Sequence, residues 1–260
     1  MNWWQVVILS IVEGLTEFLP VSSTGHMIIA SSLLGISQFE FTGIFITSIQ
    51  FGAILSVVFL YWRRFLQSFD FYLKLFVGFL PFGIAGFLLK DVIEELLKSV
   101  TVVAIMLVLG GIVLLFIDRY FNRASKTDSQ PTYKQALFIG LFQCLALLPG
   151  ISRSAATMVG ALTQNFNRKS AAEFSFLLAV PTMFVITAYQ MYKSYQIIRP
   201  EDLKMLLWGN IISFFVAIFA IKFFVDFLTK YGFRVFGIYR ILVGVLILVL
   251  LALGYDLNLV

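Results

Sequence analysis

The sequence predicts an all-α polytopic membrane protein: six full-length transmembrane helices plus two re-entrant helix hairpins, arranged as inverted-topology repeats. Three observations predict it. Hydrophobic residues make up 60% of the chain and charged residues only 13%, about half the usual charged share of a soluble domain. Several apolar runs reach the roughly 18 residues that a spanning helix needs. Two shorter apolar segments, at matching points of the two halves, are each broken by a proline and followed by hydroxyl and charged residues. The first reads EGLTEFLPVSSTGH, from Glu13 to His26, and the second LLPGISRSAAT, from Leu147 to Thr157.

The full helices are expected at about 44–61, 72–89, 101–117, 172–192, 206–224 and 237–254. Short apolar pieces at about 3–18 and 23–35 precede the first, and another pair, 135–148 and 153–164, precedes the fourth. At 1.5 Å per residue, pieces of roughly 12–16 residues do not cross a 30 Å hydrocarbon core. Each pair should therefore enter and leave by one face, which is tolerated only where protein or a water-filled cavity covers the exposed backbone. The whole of 1–260 reads as a single membrane domain. Repeat one covers 1–118 and repeat two 134–260, joined by a polar loop at 118–134 with turn residues throughout. An offset of 129 residues lays Leu19-Pro20 on Leu148-Pro149 and Ser23 on Ser152.

Charge sets the expected orientation. Counting alternate faces, thirteen Lys and Arg residues, Arg240 among them, fall on one side and five on the other, with Arg153 left inside the membrane. The positive-inside rule makes the richer side cytoplasmic and places both termini outside, with the first hairpin opening from the outer face. This accounts for the net charge of +5 without a nucleic-acid partner. No Lys or Arg precedes the first apolar run, so no cleavable signal is expected. One cysteine and one histidine exclude an internal disulfide and a multi-histidine zinc site. Trp3, Trp4, Trp62 and Trp208 read as interfacial anchors.

The two broken segments hold the ionisable groups, and such groups in a bilayer mark function by default. Glu13 and Glu17 stand four apart, on one helical face. Ser23 and His26 stand three apart among Ser22, Ser23 and Thr24. A hydroxyl beside an imidazole, with carboxylates in reach, is the pattern of an activated nucleophile and its base. The carboxylates could equally hold a divalent cation, magnesium or calcium, through oxygen ligands. In the second segment Pro149-Gly150 breaks the chain, Ser152 caps the next helix, and that helix start offers unpaired N–H groups to an anion. Arg153 adds a planar fork for phosphate oxygens, and Ser154 and Thr157 add hydroxyls. The plainer readings are simple helix caps for the hydroxyls, a structural ion pair for Arg153 with Glu13 or Glu17, and a cap histidine at His26. Ionisable groups at both breaks argue for more than caps.

At these segments the chain closely resembles the undecaprenyl-diphosphate phosphatases, the bacitracin-resistance family of bacterial inner membranes. The matching residues are Glu13-Gly14-Leu15-Thr16-Glu17, Pro20-Val21-Ser22-Ser23-Thr24-Gly25-His26 and Pro149-Gly150-Ile151-Ser152-Arg153-Ser154 with Thr157. The stretch Ala171–Leu178 is similar too. Ala155 departs from the glycine expected there and removes no chemical group. The resemblance implies hydrolysis of undecaprenyl diphosphate to undecaprenyl phosphate and phosphate, recycling the carrier for peptidoglycan synthesis. Bacitracin, which sequesters the same lipid, would then be countered. It implies catalytic roles for Glu17, Ser23, His26 and Arg153, with substrate contacts from Glu13, Ser22, Ser152, Ser154 and Thr157. Either Ser23 attacks with His26 as base, or His26 is itself the nucleophile, and Glu13 and Glu17 orient the histidine or hold the metal. A polyprenyl-phosphate transporter would share the anion clamp but does not require the Ser23/His26/Glu17 group. A homodimer is left open.

Overall fold

The computed structural model describes residues 1–121, 131–255 and 257. Twelve helices are present among them: α1 (Trp3–Thr16), α2 (Ser23–Leu33), α3 (Glu40–Leu60), α4 (Trp62–Phe65), α5 (Phe69–Leu88), α6 (Lys90–Leu97), α7 (Val100–Phe121), α8 (Tyr133–Gln143), α9 (Arg153–Thr163), α10 (Arg168–Ser194), α11 (Asp202–Tyr231) and α12 (Arg234–Ala252). Six are long and apolar enough to span a bilayer: α3, α5, α7, α10, α11 and α12. Each overlaps a run expected from sequence. The additional α6 is amphipathic, with Val92, Ile93, Leu96 and Leu97 at helical spacing beside Asp91, Glu94 and Glu95. Its charged residues had hidden it as a loop. Most of the polar stretch at 118–134, including Arg123 and Lys126 of the charge count, lies outside the described residues.

The short helices pair as hairpins. Gln5, in the first turn of α1, donates its side-chain amide to Leu34 O just past α2, at 3.2 Å. Gln135, in the first turn of α8, does the same to Gln164 O just past α9, at 3.3 Å. Both glutamines also close capping boxes, with Asn2 and Thr132. These matched positions stand 130 apart, one more than the 129 expected from aligning the prolines. The serines that begin the returning helices, Ser22 and Ser152, keep the same spacing and both have positive φ, 68° and 72°. Aligning on prolines therefore misplaced Ser23, whose counterpart is Arg153.

Packing follows the same correspondence. The α7–α12 pair makes the most extensive contact, α3 packs on α10 and α11, and α1 lies on α11 as α8 lies on α5. Close approach is possible because glycines face neighbouring backbone: a Cβ on Gly140 would stand 2.1 Å from Gly78 O. Small residues at such crossings are how helices associate where no hydrophobic drive separates them from lipid. Ion pairs tie the helix ends. Asp118, near the end of α7, accepts from Arg168 at 2.7 Å and from the backbone N–H of Phe233 and Arg234 at 2.7 and 3.1 Å, capping α12. Arg64 reaches Glu173 at 3.7 Å. The four tryptophans are half-exposed or more, as anchors at a membrane surface would be.

Candidate functional site

The tips of the two hairpins meet inside the bundle. Pro20 and Pro149-Gly150 end the outgoing segments because proline cannot continue a helix ladder. The turn that follows is backbone-strained at Ser22 and Ser152, a conformation non-glycine residues seldom adopt and which concentrates at functional sites. Ser152 Oγ accepts from Ala155 N at 3.3 Å and lies 3.0 Å from Ser154 Oγ. Ala155, in place of the expected glycine, is buried and leaves this cap intact. Ser154 Oγ in turn donates to Leu19 O at 2.8 Å, crossing from one hairpin to the other.

The chemistry sits across that junction. Arg153 Nη2 binds Glu17 Oε1 at 3.2 Å, and Ser23 Oγ donates to the other carboxylate oxygen, Oε2, at 2.7 Å. Arg153 Nη1 donates to Ser175 O at 3.2 Å, and its guanidinium carbon lies 6.0 Å from the Phe18 ring centre. Thr157 Oγ1 lies 2.6 Å from Ser175 Oγ and 2.9 Å from Arg153 O. The Glu17 and Arg153 side chains are 4% and 9% exposed. Phe18 packs edge to face on Phe176, and Phe176 in turn tilts against Phe224. Removal from water strengthens every charge interaction inside such a centre. Among the described residues Arg153 Nε has no hydrogen-bond partner.

The expected Ser23–His26 pair does not form. Ser23 opens α2 and reaches back to Glu17 just past α1, while the His26 ring turns to its own helix start and to α12. Its Nδ1 lies 2.8 Å from Ser22 O and its Nε2 2.7 Å from Tyr239 Oη. Sharing a helical face brought Ser23 and His26 near, but the side-chain directions are set by partners on other helices. Glu17, rather than His26, accepts the hydrogen bond of the Ser23 hydroxyl.

Arg240 also departs from expectation. The charge count assigned it to the cytoplasmic side, yet it is fully buried within α12. Its guanidinium donates to five backbone carbonyls: Pro20 O at 3.3 Å, Gly150 O at 2.8 Å, Ile151 O at 2.7 Å, Met106 O at 3.2 Å and Leu107 O at 3.3 Å. It thus ties both hairpin tips to α7 and α12 at once. Gly110 makes room for it, since a Cβ there would stand 2.2 Å from Arg240 Nη2. Arg240, Tyr239 and Ser175 were absent from the sequence-derived site. The motif around the first two, GIYR, carries no break or turn signal, and Ser175 lies in the Ala171–Leu178 stretch noted only as family-like.

Glu13 bears on a metal. It is fully buried, and among the described residues neither carboxylate oxygen has a hydrogen-bond partner. It lies within interaction range of Glu17 and Arg153. Two free, buried carboxylate oxygens suit a hard divalent cation. Among the described residues no three of His, Cys, Asp and Glu cluster as a metal-binding group. The chain would therefore supply Glu13 and a share of Glu17, leaving other positions to substrate oxygens and water.

These features define a polytopic membrane protein whose two broken-helix hairpins join in one buried polar centre. Residues 6–246 match the family described as bacitracin resistance protein BacA. The chain belongs to that family. A protein of Bdellovibrio bacteriovorus named undecaprenyl-diphosphatase is 53% identical, over 100% of both chains. One of Porphyromonas gingivalis with the same name is 51% identical over 99% of both. One of Persephonella marina, also so named, is 47% identical over 94% of this chain and 97% of its own.

Proposed function

We propose that this protein hydrolyses undecaprenyl diphosphate to undecaprenyl phosphate and inorganic phosphate, returning the lipid carrier to peptidoglycan synthesis and countering bacitracin. The observation that carries the reading is the chain Ser23 Oγ–Glu17–Arg153, a hydroxyl on a buried carboxylate beside a buried guanidinium. Binding alone needs the guanidinium but not a hydroxyl held on a base, so a transporter is not favoured.

In the proposed reaction Ser23 Oγ attacks the terminal phosphorus while Glu17 takes its proton. The bond from that phosphorus to the bridging oxygen breaks, and undecaprenyl phosphate leaves with the bonding pair and takes the proton from Glu17. Water then attacks the phosphoserine and releases phosphate, with Glu17 as base again. Arg153 and the α9 N-terminus at Ser152–Ser154 hold the phosphate oxygens and offset charge in the transition state. Ser22, Ser154 and Thr157 complete the cradle. A magnesium or calcium ion at Glu13 and Glu17 would neutralise diphosphate charge. The second reading has His26 as nucleophile. It is favoured by one observation: the Nδ1 contact to Ser22 O leaves the lone pair on Nε2, which the Tyr239 hydroxyl 2.7 Å away must release before attack.

Phosphate release by the purified protein in detergent tests the function. Turnover lost in folded Ser23→Ala and Arg153→Ala supports it, and an inactive, folded, lipid-binding parent supplied with metal would overturn it. A trapped phosphoenzyme separates the two nucleophiles, since phosphoserine survives acid and phosphohistidine survives alkali.

The charge asymmetry supports a placement in the bacterial inner membrane with both termini outside and the site open to the outer face. Removing Arg240 from the count leaves the bias intact. The hairpins would be re-entrant from opposite faces, and the repeats 1–118 and 134–260 inverted.

A further inference from the structure

We propose that Tyr239 is the positioning residue for His26, holding the imidazole as its Nδ1–H tautomer with Nε2 as the one basic nitrogen. The geometry assigns the protons. Ser22 O is an acceptor only, so the His26 nitrogen 2.8 Å from it, Nδ1, carries hydrogen. In a neutral ring Nε2 then has only a lone pair, and the hydroxyl 2.7 Å away on Tyr239 donates to it. The two rings lie nearly parallel, 11° apart with centres at 5.5 Å. Tyr239 is 43% exposed, which places it between His26 and the surroundings of the bundle.

The backbone that carries Tyr239 is held by its neighbour. Arg240 ties this turn of α12 to Pro20 O, beside the Ser22 carbonyl that fixes the other face of the ring. The groups around His26 are few. Arg240 lies within interaction range of it from α12, α1 carries Glu13 and ends at Glu17, which is engaged by Ser23 and Arg153, and α7 presents Leu107 against Gly25. None of these other side chains makes a hydrogen bond to the imidazole among the described residues, so Tyr239 is its single side-chain partner. The tautomer stands independently of the hydrolase reading.

His26 is the only histidine in the chain, so ¹⁵N-histidine NMR reports this ring alone. In the detergent-solubilised full chain the neutral ring should show a protonated Nδ1 and an unprotonated, hydrogen-bonded Nε2. Tyr239→Phe keeps the ring packing and should move the Nε2 resonance to that of a lone pair without a donor. Tyr231→Phe, on a distant phenol, should leave that resonance in place. An Nε2 resonance that is unmoved in Tyr239→Phe, or a parent protonated at Nε2, would overturn the proposal. A parent that shows the expected resonances yet releases no phosphate would overturn the hydrolase reading alone.

Discussion

Glu17 and Arg153, 136 residues apart in the chain, meet at 3.2 Å where the two hairpin tips touch. Each comes from a different half, and each would be an unpaired buried charge without the other. Breaking a buried pair from one side is costly because the remaining charge stays buried. The pairing therefore makes the junction of the halves and the site one object.

Arg153→Lys should remove the planar fork while keeping a positive charge. A lysine ammonium cannot hold Glu17, Ser175 O and a phosphate oxygen in one plane. We expect kcat to fall about 10²-fold or more, by analogy with loss of a transition-state donor, with the protein still folded by thermal denaturation in detergent.

Ser23→Ala and Glu17→Gln should each abolish most turnover, and the double variant should be scarcely worse than either. Groups that act as one unit give non-additive losses. Multiplying losses in the double variant would show that Glu17 does not act through Ser23.

Gly110→Ala changes no charge and touches no substrate group, yet its new Cβ would displace Arg240 from its five carbonyls. An unsatisfied buried carbonyl costs about 1–3 kcal/mol, so both melting temperature and activity should drop. Arg240→Lys should fall in the same direction, since an ammonium has three donors. Unchanged stability in Gly110→Ala would mean that Arg240 is not what holds the tips together.

Chelation should slow turnover, and magnesium or calcium should restore it, if Glu13 shares a cation. Glu13→Gln should weaken the apparent affinity for the added metal before it lowers the rate at saturating metal. Equal rates with and without chelator would leave Glu13 to orient its neighbours only.

Topology can be read from cysteine labelling in a Cys144→Ser background. Arg63 and Gln196 are both exposed, and cysteines there should react from opposite faces of an oriented vesicle. Same-face labelling would overturn the inverted arrangement. Gln196 is preferable to the neighbouring Ser194, which is buried.

The six spans, the four short helices and the cluster of Glu13, Glu17, Ser23, Arg153, Ser154 and Thr157 were all legible in the sequence, for a local reason. Apolar run length is written directly in composition, and a proline followed by hydroxyls in an oily segment marks a break wherever the chain later goes. What tertiary structure alone decided is which partner each polar group took. Ser23 was free to face His26 until α1 placed Glu17 beside it, and His26 was claimed by Tyr239 from 213 residues away. Arg240 is the sharpest case. Its partners are backbone carbonyls, which every residue owns, so neither periodicity nor motif could announce them. Only the convergence of two hairpin tips, α7 and α12 turned an apparent loop charge into the buried centre of the fold.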